Sequence, residues 1–162
     1  MTEILFVCLG NICRSPSAEA VMQSIIEREG LQKEIKVDSA GILGWHSGEP
    51  ADRRMQTHAT ERGYNLTSIS RQIKKEDFQK FDVIIGMDHE NMRDLRALDP
   101  EKKYNDKLYM MTGFCNHIPA DSVPDPYYGG PTGFENVLDI LEDACEGLLE
   151  TIKDTQNEKI AS

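Results

Sequence analysis

The sequence predicts an α/β fold on a central parallel sheet, and three observations predict it. Short, uninterrupted apolar runs rich in strand-forming residues recur along the chain, as at residues 4–8 and 83–85. Longer stretches with apolar residues at helical spacing stand between them. No internal repeat, low-complexity segment or linker interrupts this alternation over 162 residues. Continuous apolar strands are buried on both faces, and a parallel sheet covered by helices buries them that way. The length fits one domain, expected over residues 1–154, with residues 155–162 as a flexible tail.

The elements follow in order. Residues 4–8 read as a buried strand. Gly10 and Asn11 mark a turn in which both can take the left-handed backbone. Ser15 and Pro16 then open a helix, Ser as N-cap and Pro at the first helical position. Ala18, Val21, Met22, Ile25 and Ile26 share one face of it, and Gly30 stops it. Residues 35–39 form a second strand that runs into Ser39-Ala40-Gly41. Residues 42–50 are a loop carrying the single Trp, and residues 51–62 are helical up to Gly63. Residues 83–85 give a third strand, residues 88–98 a helix ended before Pro100, and residues 108–111 a fourth strand. Residues 119–131 carry four prolines and two glycines and so form a loop. Phe134, Val137, Leu138, Leu141, Cys145, Leu148 and Ile152 mark a long amphipathic helix.

Composition excludes several function classes. Hydrophobic residues make up 39%, enough for a core, and the apolar run at residues 4–9 is far too short to span a bilayer. Met1-Thr2-Glu3 lacks the basic start of a signal peptide, so a cytoplasmic location is expected. A net charge of -10 argues against nucleic-acid and anionic-membrane partners. Much of the excess lies on the last helix, at Glu135, Asp139, Glu142, Asp143, Glu146, Glu150 and Asp154, and reads as a solvated face. The four cysteines, Cys8, Cys13, Cys115 and Cys145, are too few for a disulfide scaffold and lack metal-ligand spacing. No metal or other cofactor is expected.

Chemistry concentrates in Cys8-Leu9-Gly10-Asn11-Ile12-Cys13-Arg14-Ser15-Pro16, between a strand and a helix N-terminus. Backbone N–H groups of such a turn can point inward, and the helix end adds positive potential, which makes an anion site. Arg14 offers a planar fork for two phosphate oxygens. A thiol at the start of this nest, beside a guanidinium, loses its proton easily and would face a bound phosphate as a nucleophile. The strand-to-helix turn should lie beyond the carboxyl end of the sheet, where ligands bind in open α/β folds. A phenolate is a poor leaving group, so a proton donor is needed. Asp125, held between Pro124 and Pro126 on the proline-rich loop, is the candidate.

The chain resembles the low-molecular-weight protein tyrosine phosphatases over about residues 3–153, through the whole Cys8-to-Pro16 motif and Asp125-Pro126-Tyr127-Tyr128-Gly129. Asp38-Ser39, Ser70-Arg71-Gln72, Lys75-Glu76-Asp77-Phe78 and Met87-Asp88 agree as well. The resemblance implies a four-stranded parallel sheet flanked by helices on both faces, of the flavodoxin-like type. It implies phosphotyrosine proteins and small aryl phosphates as substrates and inorganic phosphate as product. Cys8 is then the nucleophile that becomes phosphocysteine, and Asp125 the acid and later the base. Arg14 and the amides of Leu9, Gly10, Asn11, Ile12 and Cys13 bind phosphate. Ser15 stabilises the thiolate, and Asn11 pins the loop with help from Ser39. Trp45, Tyr127 and Tyr128 line the entrance and sandwich the substrate ring. His46 shapes the rim, while His58, His89 and His117 are surface or structural.

Cys13, five positions from Cys8 in the same curled loop, is expected to be redox-active, and members with this paired cysteine are regulated by a disulfide. One departure stands out, because some members carry a His where this chain has Ser68, in the network behind Asn11 and Ser39.

Two other readings compete. An arsenate reductase uses the same fold and loop but needs two further redox cysteines, and residues 73–114 contain none. A non-catalytic phosphotyrosine-binding module would lack one of Cys8, Arg14 and Asp125, and all three are present.

Overall fold

Apolar runs and helical stretches alternate in the structure as they do in the sequence. The computed structural model describes residues 1–126 and 129–161, with side chains through residue 157. The order is β1 (Thr2–Cys8), α1 (Arg14–Arg28), β2 (Ile35–Gly41), α2 (Arg53–Glu61), α3 (Lys75–Lys80), β3 (Val83–Gly86), α4 (His89–Ala97), β4 (Leu108–Met110) and α5 (Gly130–Ala161). The four strands form one sheet in the order β2-β1-β3-β4, and every pairing is parallel.

Successive residues of β1 point to opposite faces, and both faces are covered. Ile4, Phe6 and Cys8 join α1 and α5 through Val21, Met22, Leu138 and Leu141. Leu5 and Val7 join the smaller cluster with Phe78, Phe81, Met92 and Leu95 on the side of α3 and α4. Residues 4–7 are wholly inaccessible to solvent, which is why they carry no polar side chain. The sheet therefore has helices on both faces, the flavodoxin-like arrangement that the sequence led us to expect. Because β2 and β3 flank β1 on opposite sides, strand order reverses at β1, and the crevice beyond its carboxyl end opens at Cys8.

Several boundaries differ from expectation for physical reasons. The N-cap of α1 is Cys13, not Ser15, so Arg14 is the first helical residue and Pro16 lies within the first turn. Proline is tolerated there because its missing N–H would have no intrahelical partner. The Ser15 hydroxyl is engaged by Cys8 and Asn11 instead of capping the helix. Only Asn11 takes the left-handed backbone (φ 57°), and Gly10 does not. A side chain at Gly10 would meet His46 at 3.1 Å, so close approach explains that glycine. Helix α3 has six residues, too few for a hydrophobic period to be legible. Helix α5 continues through the expected tail to Ala161.

The acidic face of α5 is not simply solvated. Arg62 reaches Glu135, Asp139 and Glu142 at 2.8, 2.9 and 2.6 Å, tying the end of α2 to α5. Asp143 accepts the backbone N–H groups of Asn116, His117 and Ile118, and Arg28 of α1 pairs with Glu146. No helix among the described residues is long and apolar enough to cross a membrane.

Candidate active site

The turn from Cys8 to Arg14 curls at the mouth of the crevice, and local chemistry explains its shape. Asn11 holds a positive φ that most residues avoid, and its side chain is bound on all sides. Its Nδ2 donates to Ser15 Oγ at 2.8 Å and to Ser39 Oγ at 3.0 Å, while its Oδ1 accepts the Arg71 backbone N–H at 3.0 Å. The Ser70 hydroxyl donates to the Gly10 carbonyl at 3.0 Å. Loop support thus comes from Ser70, two positions beyond Ser68. Hydrogen bonds with Ser15, Ser39, Ser70 and Arg71 thus hold the turn in shape, the kind of support that electrostatic preorganisation requires.

Cys8 ends β1, buried, with Sγ hydrogen-bonded to Ser15 Oγ at 3.0 Å. Arg14 is only 4% exposed, and its Nη1 donates to Asp88 Oδ2 at 2.5 Å and to the Val123 carbonyl at 3.0 Å. Burial works against the guanidinium's charge, but Cys8, Asp88 and Asp125 outweigh it, so the Arg14 pKa lies above its ordinary value. The Val123 N–H bonds in turn to the Met87 carbonyl at 2.8 Å, so the base of the proline-rich loop is clamped to the end of β3. That clamp delivers Asp125, which is exposed, to the cavity that Cys8 lines.

This cavity has a volume of about 300 Å³ and is walled by the turn, Trp45, His46 and Asp125. Of the nucleophile, cation and acid read from the sequence, all three therefore meet in one place. Leu9, Gly10, Ile12 and Cys13 line it too. Trp45 stands 78% exposed at its rim, beside a His46 whose Nδ1 pairs with Glu49 at 2.8 Å. Asn11, Ser15 and Ser39 lie behind the turn, not in the cavity wall. The ring-binding expectation for Tyr127 and Tyr128 falls outside the described residues. Burial, reinforced by Asp52, Cys8 and Asp125, pushes the Cys13 thiol well above its ordinary range.

Four residues here escaped the sequence reading as site residues: Asp88, Ser70, Arg71 and Glu19. Asp88 follows β3 at the carboxyl edge of the sheet, so the rule that ligands bind there could have found it. Glu19 was detectable as a carboxylate next to the buried Ala18 on the core side of α1, and it accepts the Ser39 hydroxyl at 2.6 Å. Arg71 is locked by Asp77 and Asp38, which orients the backbone N–H that Asn11 accepts. Among the described residues, one group of three possible metal ligands has its atoms within 4.8 Å: His58, Glu61 and Glu135. Glu135 is already bound there by His58 and Arg62, and none of the three lines the Cys8 cavity.

Comparison with known proteins adds an independent line. A family model described as low molecular weight phosphotyrosine protein phosphatase matches residues 3–158. The crystal structure of a protein tyrosine phosphatase from Entamoeba histolytica, with Hepes in its active site, is 47% identical with a TM-score of 0.93, covering 96% of this chain and 99% of that one. A low molecular weight phosphotyrosine protein phosphatase of Drosophila melanogaster is 42% identical over 149 residues, 91% of this chain and 95% of its own length. A Drosophila arginine phosphatase structure is 30% identical with a TM-score of 0.86, covering 94% of this chain and 98% of that one.

Proposed function

The chain belongs to the low molecular weight phosphotyrosine protein phosphatase family, and from that premise we propose how its own residues carry out the reaction. It is an enzyme that hydrolyses phosphotyrosine. The carrying observation is that Cys8, Arg14 and Asp125 line one cavity of about 300 Å³, with Cys8 Sγ 3.0 Å from Ser15 Oγ.

In our reading, phosphate seats on the N–H groups of Leu9 to Arg14 and on the Arg14 guanidinium, backed by Asp88. The Cys8 thiolate attacks phosphorus as the bond to the phenolic oxygen breaks, and Asp125 gives that oxygen its proton. The product of this half-reaction is a phosphocysteine. Water, losing a proton to Asp125, then attacks phosphorus, the P–S bond breaks, and inorganic phosphate and the Cys8 thiolate are released. Ser15 donates to the thiolate in its roles as attacker and as leaving group. Trp45 offers an aromatic wall for the substrate ring. The mechanism depends on a reduced Cys8, which suits a cytoplasmic site of action.

The test uses para-nitrophenyl phosphate, phenyl phosphate and two peptides, one phosphorylated on Tyr and one on Arg. Cys8→Ser is expected to abolish turnover in every case, and chelator to leave the wild-type rate unchanged. Asp125→Asn should slow phenyl phosphate by ~10²–10⁴-fold and the activated nitrophenyl ester far less. An equal loss on both esters would make Asp125 structural. Faster turnover of phosphoarginine than of phosphotyrosine would place substrate choice outside this reading.

A further inference from the structure

We propose that Arg53 is a specificity-determining residue that draws an acidic side chain flanking the phosphotyrosine of a protein substrate. This rests on the reading of the Cys8 cavity as the phosphotyrosine site and deepens it. A phosphotyrosine that fills the cavity leaves its own polypeptide outside, so the substrate chain must run over the rim. One way out is a groove of about 640 Å³ whose lining includes Glu49, Pro50, Asp52, Arg53 and Gln56. Ile12 and His46 line both this groove and the Cys8 cavity, so the two are continuous. Backbone joins them as well, because the Asp52 N–H donates to the Ile12 carbonyl at 2.8 Å. Helix α2 therefore starts one residue after a direct bond to the phosphate-binding turn, and Arg53 is its first residue.

Arg53 stands apart from the other polar side chains of the groove. Glu49 is paired with His46 Nδ1 at 2.8 Å. Asp52 accepts the N–H groups of Arg54 and Met55 and pairs with the Arg54 guanidinium at 3.2 Å. Gln56 donates to the Ala51 carbonyl at 2.7 Å. The Arg53 side chain is exposed and makes no hydrogen bond or ion pair among the described residues. Folding does not call for a cation there, since the first turn of a helix carries partial positive charge and favours an acidic residue. With the Arg54 and Met55 amides taken by Asp52, an incoming carboxylate binds the Arg53 guanidinium and not the helix end. The carboxylate of an Asp or Glu beside the phosphotyrosine matches that planar fork. A basic side chain would instead have to compete with His46 and Arg54 for carboxylates that already hold them.

The probes are phosphotyrosine peptides that carry Ala, Glu or Lys on both sides of the phosphotyrosine and are otherwise identical. On wild type, Arg53→Ala and Arg53→Glu, each kcat/KM is divided by that of the Ala peptide on the same preparation, so any unfolded fraction of a variant cancels. Wild type is expected to favour the Glu peptide about threefold, the size of an exposed ion pair, through KM and not kcat. That advantage should shrink at high salt. In Arg53→Ala the ratio should fall to one or below, because the net charge of -10 then acts unopposed on an acidic peptide. Arg53→Glu should favour the Lys peptide instead. A wild-type ratio at or below one, or a preference for Glu that survives in Arg53→Glu, overturns the proposal. Turnover of none of the three peptides by wild type would instead sink the reading of the cavity on which the proposal stands.

Discussion

Cys8 and Ser15 are seven positions apart in sequence and 3.0 Å apart in space, and Arg14 crosses 74 residues to find Asp88 and 109 to find the Val123 carbonyl. A buried thiol and a buried guanidinium in one turn are each costly without partners, and these contacts are what make both tolerable. Cys13 sits in the same turn, 6% exposed, with a thiol that burial keeps protonated. Peroxide should convert Cys8 to the sulfenic acid first. Cys13 then supplies a thiol that displaces water to form the Cys8–Cys13 disulfide, shielding Cys8 from the irreversible acids. Because the Cys13 thiol ionises reluctantly, capture should quicken as pH rises. Treating wild type and Cys13→Ser with peroxide and then dithiol is expected to restore the wild type alone, with the bridge visible by mass spectrometry. Equal recovery without a bridge would assign Cys13 to packing.

At the scale of elements, α5 owes its position to backbone as much as to side chains. A Cβ at Gly147 would lie 1.8 Å from the carbonyl oxygen of Phe114, so helix and chain touch main chain to main chain. In an open helix, Gly→Ala stabilises by about 1 kcal/mol. Here the sign should reverse, because Phe114 ends a 3₁₀ turn after β4 and its carbonyl cannot retreat without moving that turn. Gly147→Ala is expected to lower the melting temperature by several degrees with KM unchanged, and a higher melting temperature would show that α5 is free to shift. The apolar stripe that predicts α5 does not reveal this contact, since a glycine within a helical pattern is silent about what faces it.

The whole molecule carries its charge unevenly, and its acid stability follows from that. Arg62 holds Glu135, Arg28 holds Glu146, and three backbone N–H groups outweigh burial at Asp143, so all three carboxyls lie below their ordinary range. A carboxylate with a depressed folded pKa contributes stability above its unfolded value and loses it as pH falls through the folded one. Asp52, where hydrogen bonds from Arg54 and Met55 outweigh burial, is lowered too, so Glu19, raised by burial, acts with the opposite sign as one group against four. The melting temperature should therefore be flat near neutrality and fall below pH ~4, where unfolded Asp and Glu titrate. Arg62→Ala should shrink that fall as well as lower the plateau. An unchanged pH profile in the variant would mean that the α2–α5 ion pairs contribute nothing to folding.

The sequence alone determined the parts of this protein that depend on neighbours in the chain. Apolar runs at residues 4–8 and 83–85 mark the inner strands, because burial on both faces leaves no room for a polar side chain. The Cys8-to-Pro16 turn exposed the proposed nucleophile and its cation, because an anion nest is built from consecutive amides. Asp125 was legible as an acid flanked by prolines, although its distance from Cys8 was not. Only the tertiary structure decided which groups meet across the crossovers. Asp88 behind Arg14, Glu19 behind Ser39, Ser70 in place of Ser68 and Arg62 within the acidic face of α5 are all joined by contacts between separate elements. Such pairings depend on strand order and helix placement, which the summed burial of the whole core fixes, and no local pattern encodes them.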